Sequence, residues 1–206
     1  MTVEISALYL LDGATGQEIA GELRDSIEDE QLVDWQTKWQ PAQIAVLQEL
    51  ARRGVPPGQW PQSWHWDWRR KTAHVQGLLA FRGFCVTAQG VTQGLAQVDL
   101  NRLAQEPSCA GKPLVYLDYL EVAPWNRTDL GQQPRLRGVG TALLSAVVAL
   151  SLEEGFKGRI GLHSLPQADD FYRRRCGMTD LGADPNYQNL RYFEMTEEQS
   201  RVFIEE

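Results

Sequence analysis

Arg135-Leu136-Arg137-Gly138-Val139-Gly140-Thr141 is the stretch that carries most information about the fold. It lies between a β-like apolar run at residues 114–122 and an apolar helical pattern at residues 140–154. The first amides of a helix have no partner inside the helix, and the helix dipole adds partial positive charge there. The two glycines let the backbone approach an anion, and the two arginines add charge. The stretch therefore predicts a phosphate-binding loop at a strand-to-helix junction, although a glycine pair alone also suits an ordinary turn.

The elements around this loop make the pattern more specific. The chain contains neither G-x-G-x-x-G nor G-x-x-x-x-G-K-[ST], the signatures of two other phosphate cradles. Its R-x-x-G-x-G pattern resembles the acyl-coenzyme A loop of the GNAT superfamily of N-acetyltransferases. The resemblance extends over residues 78–195 and includes, in order, the strand YLDYLEVAP, the loop, the helix GTALLSAVVALSLEEG, the strand RIGLHSLP and the helix ADDFYRRRCGM.

Composition limits the classes of function. The chain has 206 residues, enough for a substantial core, and a formal net charge of −7, which argues against general affinity for nucleic acid or anionic membranes. No apolar stretch reaches the ~18–20 residues that span a bilayer, and the N-terminus lacks a basic signal region, so we expect a cytoplasmic protein. Three scattered cysteines and three dispersed histidines, without C-x-x-C or H-E-x-x-H, indicate reduced thiols and no metal site.

Periodicity and the resemblance together predict one α/β domain over residues 1–206. We expect a mixed central β-sheet with a V-shaped splay between the fourth and fifth strands, and helices on both faces. Residues 17–24 fit either a strand or the start of a helix, residues 25–31 fit a solvated surface, and residues 197–206 form a polar tail compatible with a helix. The predicted strands are 3–11, 76–86, 90–100, 114–122, 158–164 and 190–195, and the predicted helices are 41–53, 140–154 and 166–176.

Four tryptophans lie close together in the stretch QWPQSWHWDWRRK. One interpretation is a local aromatic cluster that shields the sheet, and the other is a wall of an acceptor pocket. The resemblance places residues 1–75, including this stretch, on the acceptor side of the domain. The tryptophans are Trp60, Trp64, Trp66 and Trp68.

The resemblance also implies which residues bind acetyl-coenzyme A. Backbone amides of residues 137–141 would hold the pyrophosphate, and the strand edge at residues 120–123, ending at Pro124, would pair with the pantetheine arm. Family members often carry an asparagine near Leu165, and here Ser164 or Gln167 would have to replace it. The implied binding residues are Leu120, Val122, Arg135, Arg137, Gly138, Val139, Gly140, Thr141 and Ser164.

The resemblance places a proton donor and a base as well. Tyr172 stands where GNAT enzymes commonly have a tyrosine near the sulfur, and a phenol is a plausible acid for a thiolate, although packing beside a neighbouring phenylalanine also explains it. Asp118 shares a strand face with Val122 and is the first candidate for the base or for amine binding. Glu121, His163 or a water-mediated arrangement remain alternatives.

The segment between Pro124 and Arg135 is longer than the family pattern, so Trp125 and Arg127 are placed to fold over cofactor or acceptor. The predicted function is transfer of an acetyl group from acetyl-CoA to a primary amine of a small molecule or a protein. Neither nucleic acid nor membrane is an expected partner, and a homodimer is possible. The alternatives are a non-catalytic acyl-CoA sensor and an interaction module that docks through its tryptophans.

Overall fold

The computed structural model describes residues 3–128 and 133–205. Among these residues nine strands form one mixed sheet in the order β6-β1-β2-β3-β4-β5-β7-β9-β8. The strands are β1 Ile5–Asp12, β2 Glu18–Arg24, β3 Phe81–Ala88, β4 Val91–Leu103, β5 Pro113–Val122, β6 Leu136–Arg137, β7 Ile160–Ser164, β8 Thr179–Asp184 and β9 Leu190–Met195. The α-helices are α1 Asp29–Asp34, α2 Gln40–Arg52, α3 Trp68–Val75, α4 Val139–Glu153 and α5 Glu197–Glu205.

The chain divides into two compact units. The first unit comprises residues 1–77, 83–95 and 120–142, and the second comprises residues 78–82, 96–119 and 143–206. In the described part of the chain, no helix has the length and apolar character needed to cross a bilayer.

The first unit begins with an antiparallel hairpin of β1 and β2, whose register pairs Tyr9 with Ala20. The predicted strand and turn at its start are confirmed, and the ambiguous residues 17–24 form a strand. Its turn is closed by Asp12, whose carboxylate accepts hydrogen bonds from the Ala14 and Thr15 amides at 3.0 and 2.8 Å. Because an aspartate side chain bonds the backbone two and three residues on, it favours a tight turn here.

Helices α1 and α2 are joined by a π-helical turn, Trp35–Trp39. Helix α2 confirms the helix predicted at residues 41–53, with Pro41 in its first turn and Gly54 following in a left-handed conformation (φ +75°). Residues 25–31 lie mostly at the surface, as expected, but α1 begins there and Gln31 is buried. Its side chain accepts from the Glu28 amide at 3.0 Å and closes a capping box.

The second unit contains the parallel pairing on which the fold class depends. β5 and β7 pair in parallel from Val115 with Ile160 to Leu117 with Leu162. The two strands continue past this last pair, to Val122 and Ser164, and the predicted splay would lie in this part of them. β7 and β8 both pair antiparallel with β9. The core of this unit includes Leu114, Val115, Leu143, Leu144, Val147, Val148, Ile160, Leu162, Phe193 and Met195.

Two features of the second unit differ from the sequence-based expectation. Strand β8 was not predicted, because T-D-L-G-A-D contains two aspartates and a glycine and alternates only weakly. The helix predicted at residues 166–176 is helical but irregular. It starts as a 3-10 turn, Pro166–Ala168, and ends as a π-helical segment, Phe171–Arg175.

Candidate functional site

The predicted anion-binding loop lies in the first unit, between β6 and α4. Gly138 has φ +95°, a conformation that favours glycine. The Ala142 amide donates to the Gly138 carbonyl at 2.8 Å, which is the first hydrogen bond of the helix. The amides of Val139, Gly140 and Thr141 precede that bond and therefore have no partner within the helix. This geometry is compatible with the predicted cradle for an anion such as phosphate, whose binding role remains a prediction.

The turn after β1 fixes the position of this loop. The Gly13 amide donates to the Arg135 carbonyl at 2.7 Å, and the Gly13 carbonyl accepts from Gln133 Nε2 at 2.7 Å and Arg137 Nη2 at 2.9 Å. A Cβ atom at position 13 would lie 1.6 Å from the Pro134 carbonyl oxygen, so only glycine fits. The sequence indicated a turn at Asp12-Gly13 but not this contact, which joins residues far apart in the chain.

The start of the long loop after Pro124 also supports the cradle. The Arg135 amide donates to the Trp125 carbonyl at 3.0 Å, and the Leu136 amide donates to Asn126 Oδ1 at 2.9 Å. Trp125 Nε1 and Asn126 Nδ2 both donate to Gln93 Oε1, at 3.0 and 2.8 Å. Trp125 is thus bonded within this unit and packs near the Arg135 guanidinium, 5.7 Å away. The predicted fold of this loop over a ligand depends partly on residues 129–132, which lie outside the described residues.

A buried polar cluster joins the tryptophan-rich segment to the end of β5. Trp68 is fully buried, and its Nε1 donates to Glu121 Oε2 at 2.7 Å. Arg127 Nη1 lies 3.7 Å from Glu121 Oε1 and donates to Ser63 Oγ at 2.9 Å. Burial raises the pKa of the Glu121 carboxyl, although the Trp68 and Arg127 side chains oppose that rise. These contacts favour an anchoring role for Glu121, one of the alternatives to Asp118 as a base.

The other tryptophans of this segment have different environments. Trp60 and Trp64 meet edge to face, with ring centroids 6.0 Å apart, and 46% of Trp64 is exposed. The Lys71 ammonium lies 4.7 Å from the centre of the Trp66 ring. Burial of Trp68 agrees with the aromatic-cluster interpretation for that residue, whereas Trp64 offers a surface to solvent.

Tyr172, the predicted proton donor, lies on the π-helical segment of the second unit. Its ring is buried and packs edge to face against Phe171 and at a tilt against Phe193, at centroid distances of 5.1 and 6.1 Å. Within residues 3–128 and 133–205, its hydroxyl has no hydrogen-bond partner. Burial raises the pKa of the phenol, so the group is protonated at neutral pH. A protonated phenol with an unused donor is what an acid needs, but the packing interpretation also holds for the ring.

Asp118 and His163 lie in the second unit as well. Asp118 is half-buried on β5, and the His163 side chain on β7 is only 6% exposed. The imidazole is held between two partners, Tyr116 Oη at 2.7 Å from Nδ1 and Asp184 Oδ2 at 3.1 Å from Nε2. The sequence singled out His163 but missed Tyr116 and Asp184, because Asp184 lies on the strand that was not predicted.

The residues predicted to contact the pantetheine arm lie at the ends of β5 and β7 or just beyond. Leu120 and Val122 are half-buried at the end of β5, where the backbone has passed its last pair with β7. Ser164 is buried, and its hydroxyl donates to the Leu165 carbonyl at 2.9 Å. Gln167 is exposed. Their binding roles remain predictions, and Ser164 would have to give up its present hydrogen bond to contact a ligand through its side chain.

Comparison with known proteins supports the fold. No family model and no curated protein matches the chain. Among solved structures, the GNAT domain of Streptomyces lividans PAT is similar, with 15% identity, 93% of this chain and 96% of that chain covered, and a TM-score of 0.53. A protein assigned as a GNAT-family acetyltransferase from Desulfovibrio desulfuricans has 13% identity, coverage of 95% and 99%, and a TM-score of 0.50. An uncharacterised protein from Bacillus halodurans has 12% identity, coverage of 96% and 94%, and a TM-score of 0.57.

The chain therefore has the fold of the GNAT acetyltransferases. At these identities the similarity defines the architecture, and the activity has to be argued from the residues of this chain.

Proposed function

We propose that this protein transfers an acetyl group from acetyl-CoA to a primary amine of a small molecule or a protein. The observation that carries the proposal is the cradle at residues 135–141 in a GNAT fold. There a glycine in a left-handed conformation lies between a strand and the first amides of α4, which have no partner within the helix, and two arginines precede it. Because such amides and cations favour phosphate, the cradle suits the pyrophosphate of coenzyme A.

The chemistry requires little beyond binding and proton transfer. The acceptor nitrogen forms a bond to the thioester carbonyl carbon, the C–S bond breaks, and the nitrogen loses a proton while the thiolate gains one. We propose that Asp118 binds the acceptor as an ammonium ion and takes one of its protons, directly or through one water, so that the neutral amine can attack, and that Tyr172 donates its phenolic proton to the thiolate. The free hydrogen-bonding capacity of the Tyr172 hydroxyl among the described residues supports the second role.

The test combines donor binding with turnover. Acetyl-CoA should raise the thermal midpoint of the wild-type protein by mass action, and thiol release should follow when the correct amine is added from a panel of small amines, amino acids and peptides. Gly138→Val should abolish the thermal shift, because a β-branched residue resists φ +95°. Gly155→Val is a matched control, since Gly155 also has a positive φ (+75°) but follows the other end of α4.

The outcomes separate the proposed activity from its alternatives. A wild-type protein that acetyl-CoA does not stabilise would refute the donor. Binding of acetyl-CoA without thiol release for any amine would instead favour a non-catalytic acyl-CoA sensor. If Gly138→Val and Gly155→Val lose the thermal shift equally, the loop assignment is wrong, because strain alone then explains the effect.

A further inference from the structure

Tyr116, His163 and Asp184 form a hydrogen-bonded array in the second unit, with the imidazole in the middle. The Asn186 amide, and then the imidazole, hold the pKa of the Asp184 carboxyl below its usual range, so Asp184 accepts but does not donate. His163 Nε2 must therefore carry the proton that is shared with Asp184 Oδ2, 3.1 Å away. In the neutral ring Nδ1 is then an acceptor, and Tyr116 donates its O–H to it at 2.7 Å.

The array lies at the end of the parallel ladder of β5 and β7. Leu117 and Leu162 form the last pair of the parallel ladder, so Asp118 and His163 are the next residues on the two strands. Side chains alternate along a strand, so Tyr116 and Asp118 lie on one face, and the bond from Tyr116 places the His163 ring on that face too. Burial, followed by the charge of Asp118, raises the pKa of Tyr116, which indicates that the carboxylate is close to the phenol. An amine bound by Asp118 would thus lie beside the Tyr116 hydroxyl.

The imidazole is enclosed from the side of β9. The Tyr187 ring stacks on it at 3.9 Å and 9°, and the Tyr192 ring lies 4.7 Å away. Tyr187 is followed by Gln188 and Asn189, two non-glycine residues at φ +55° and +58°. Backbone strain of this kind persists where the surrounding structure requires it, and it often marks functional sites. Here it lies at the β8–β9 turn that carries the ring stacked on His163.

Asp184 connects the enclosed ring to solvent. Its side chain is 21% exposed and lines an open groove of about 420 Å³ together with Gln105, Asn186 and Tyr187. A proton that reaches the imidazole can therefore be returned to water at this end of the array. The array links a buried phenol to a partly exposed carboxylate through a group that titrates near neutral pH.

We propose that the Tyr116–His163–Asp184 array is a proton relay that removes the proton lost by the acceptor amine during acetyl transfer. This inference rests on the proposed function. As the N–C bond forms and the C–S bond breaks, Tyr116 Oη takes the N–H proton while its own O–H proton passes to His163 Nδ1. The phenol is regenerated, and the imidazolium is stabilised by Asp184 until it releases the proton to water. The thiolate takes its proton separately, from Tyr172, and the Tyr172 phenolate regains a proton from water, so charge and atoms balance.

The experiment measures kcat and KM for the amine across about pH 5 to 9, with the acetyl-CoA thermal shift of each variant as a test of folding and donor binding. Tyr116→Phe and His163→Gln should lower kcat by about 100-fold or more, the lower end of general acid–base effects, with an unchanged acetyl-CoA shift. Tyr192→Phe, which removes a hydroxyl from the same buried cluster, is the matched control and should retain kcat.

The pH profile separates a relay from a packing role. Burial lowers the pKa of His163 although Asp184 opposes this, so kcat/KM should fall as pH drops through a value below 6.5. That acidic limb should vanish in His163→Gln and persist in Asp118→Asn. The titratable or charged groups that face the imidazole or its phenol partner are Arg102, Tyr116, Asp118, Asp184, Tyr187 and Tyr192.

Three results would overturn the relay while leaving the proposed function intact: full activity of Tyr116→Phe, an acidic limb that survives in His163→Gln, or an equal loss of kcat in Tyr192→Phe. A wild-type protein that binds acetyl-CoA but acetylates no amine would overturn both the proposed function and the relay. The first set requires an active wild type and the last an inactive one, so the two failures are distinguishable.

Discussion

Replacing Gly13 by alanine tests whether the β1–β2 turn positions the anion-binding loop. The added Cβ would lie 1.6 Å from the Pro134 carbonyl oxygen, whereas Cβ contacts under 3.0 Å essentially never occur. The two backbone segments must therefore separate by more than an ångström. That movement weakens the amide bond to Arg135 and the bonds that Arg137 and Gln133 donate to the Gly13 carbonyl.

The expected cost follows from these contacts. Each hydrogen bond contributes about 1 kcal/mol, and overpacking typically adds about 1–3 kcal/mol, so Gly13→Ala should destabilise the protein by roughly 3 kcal/mol or more. Because the carbonyl of Arg135 and the side chain of Arg137 are both displaced, acetyl-CoA should also bind about tenfold more weakly. Tenfold corresponds to about 1.4 kcal/mol, the loss of roughly one good phosphate contact.

Gly16→Ala in the same turn separates local strain from loop displacement. Gly16 also has a positive φ (+72°), but no atom lies within 4 Å of a Cβ built there. This variant should lose only about 1–2 kcal/mol of stability and keep normal acetyl-CoA affinity. Urea unfolding and calorimetric titration with acetyl-CoA measure both quantities. If Gly13→Ala binds acetyl-CoA as tightly as Gly16→Ala does, the turn does not position the loop.

Three further perturbations test other parts of the molecule. Trp68→Phe should lower the free energy of unfolding by about 2–4 kcal/mol, because it removes buried volume and the indole donor to Glu121, and a loss under about 1 kcal/mol in urea would contradict this. Tyr172→Phe should reduce kcat by about 100-fold with unchanged acetyl-CoA affinity, whereas normal turnover would leave the ring a packing role. Burial raises the pKa of Asp180, but hydrogen bonds from Arg191 and Arg173 outweigh it and lower the pKa to about 2 from 3.8. Wild type should therefore be more stable to unfolding than Asp180→Asn above about pH 4, and this difference should disappear toward pH 2 in thermal melts. A difference that does not depend on pH would show that the ion pairs of Asp180 are not its source.

Local patterns in the sequence were sufficient for elements with strong signals of their own. The turn chemistry at Asp12-Gly13 and the proline and glycine that bracket α2 depend on neighbours in the chain, and they predicted β1 and α2 to within one or two residues. The strand predicted at 190–195 matches β9. In contrast, β8 pairs with β9 in a register that shifts between Asp180 and Gly182, and its own residues have weak strand propensity. Strands of this kind are defined by a partner rather than by their own sequence.

The same distinction explains which parts of the candidate site could be predicted. The loop at residues 135–141 is a local motif, since its glycines, arginines and following helix are contiguous. The Gly13 contact joins residues more than a hundred positions apart in sequence, as the bond between Arg137 and Gly13 spans 124 positions. No spacing rule connects them, and only the pairing of β1 with β6 brings them together.

The choice among Asp118, Glu121 and His163 shows what a fold adds to a list of titratable residues. From the sequence, the three residues were competing candidates for the base. Alternation along β5 placed Asp118 and Glu121 on opposite faces of the strand, but it did not decide between them. In the structure the Glu121 carboxylate accepts a hydrogen bond from Trp68 and forms an ion pair with Arg127, inside the first unit. His163 instead has a phenol on one nitrogen and a carboxylate on the other. A carboxylate that accepts from a buried indole and lies beside a guanidinium holds those two groups in place, whereas an imidazole between a donor and an acceptor can pass a proton along. The partners of each group, more than its intrinsic pKa, therefore decide which of the three is suited to moving a proton.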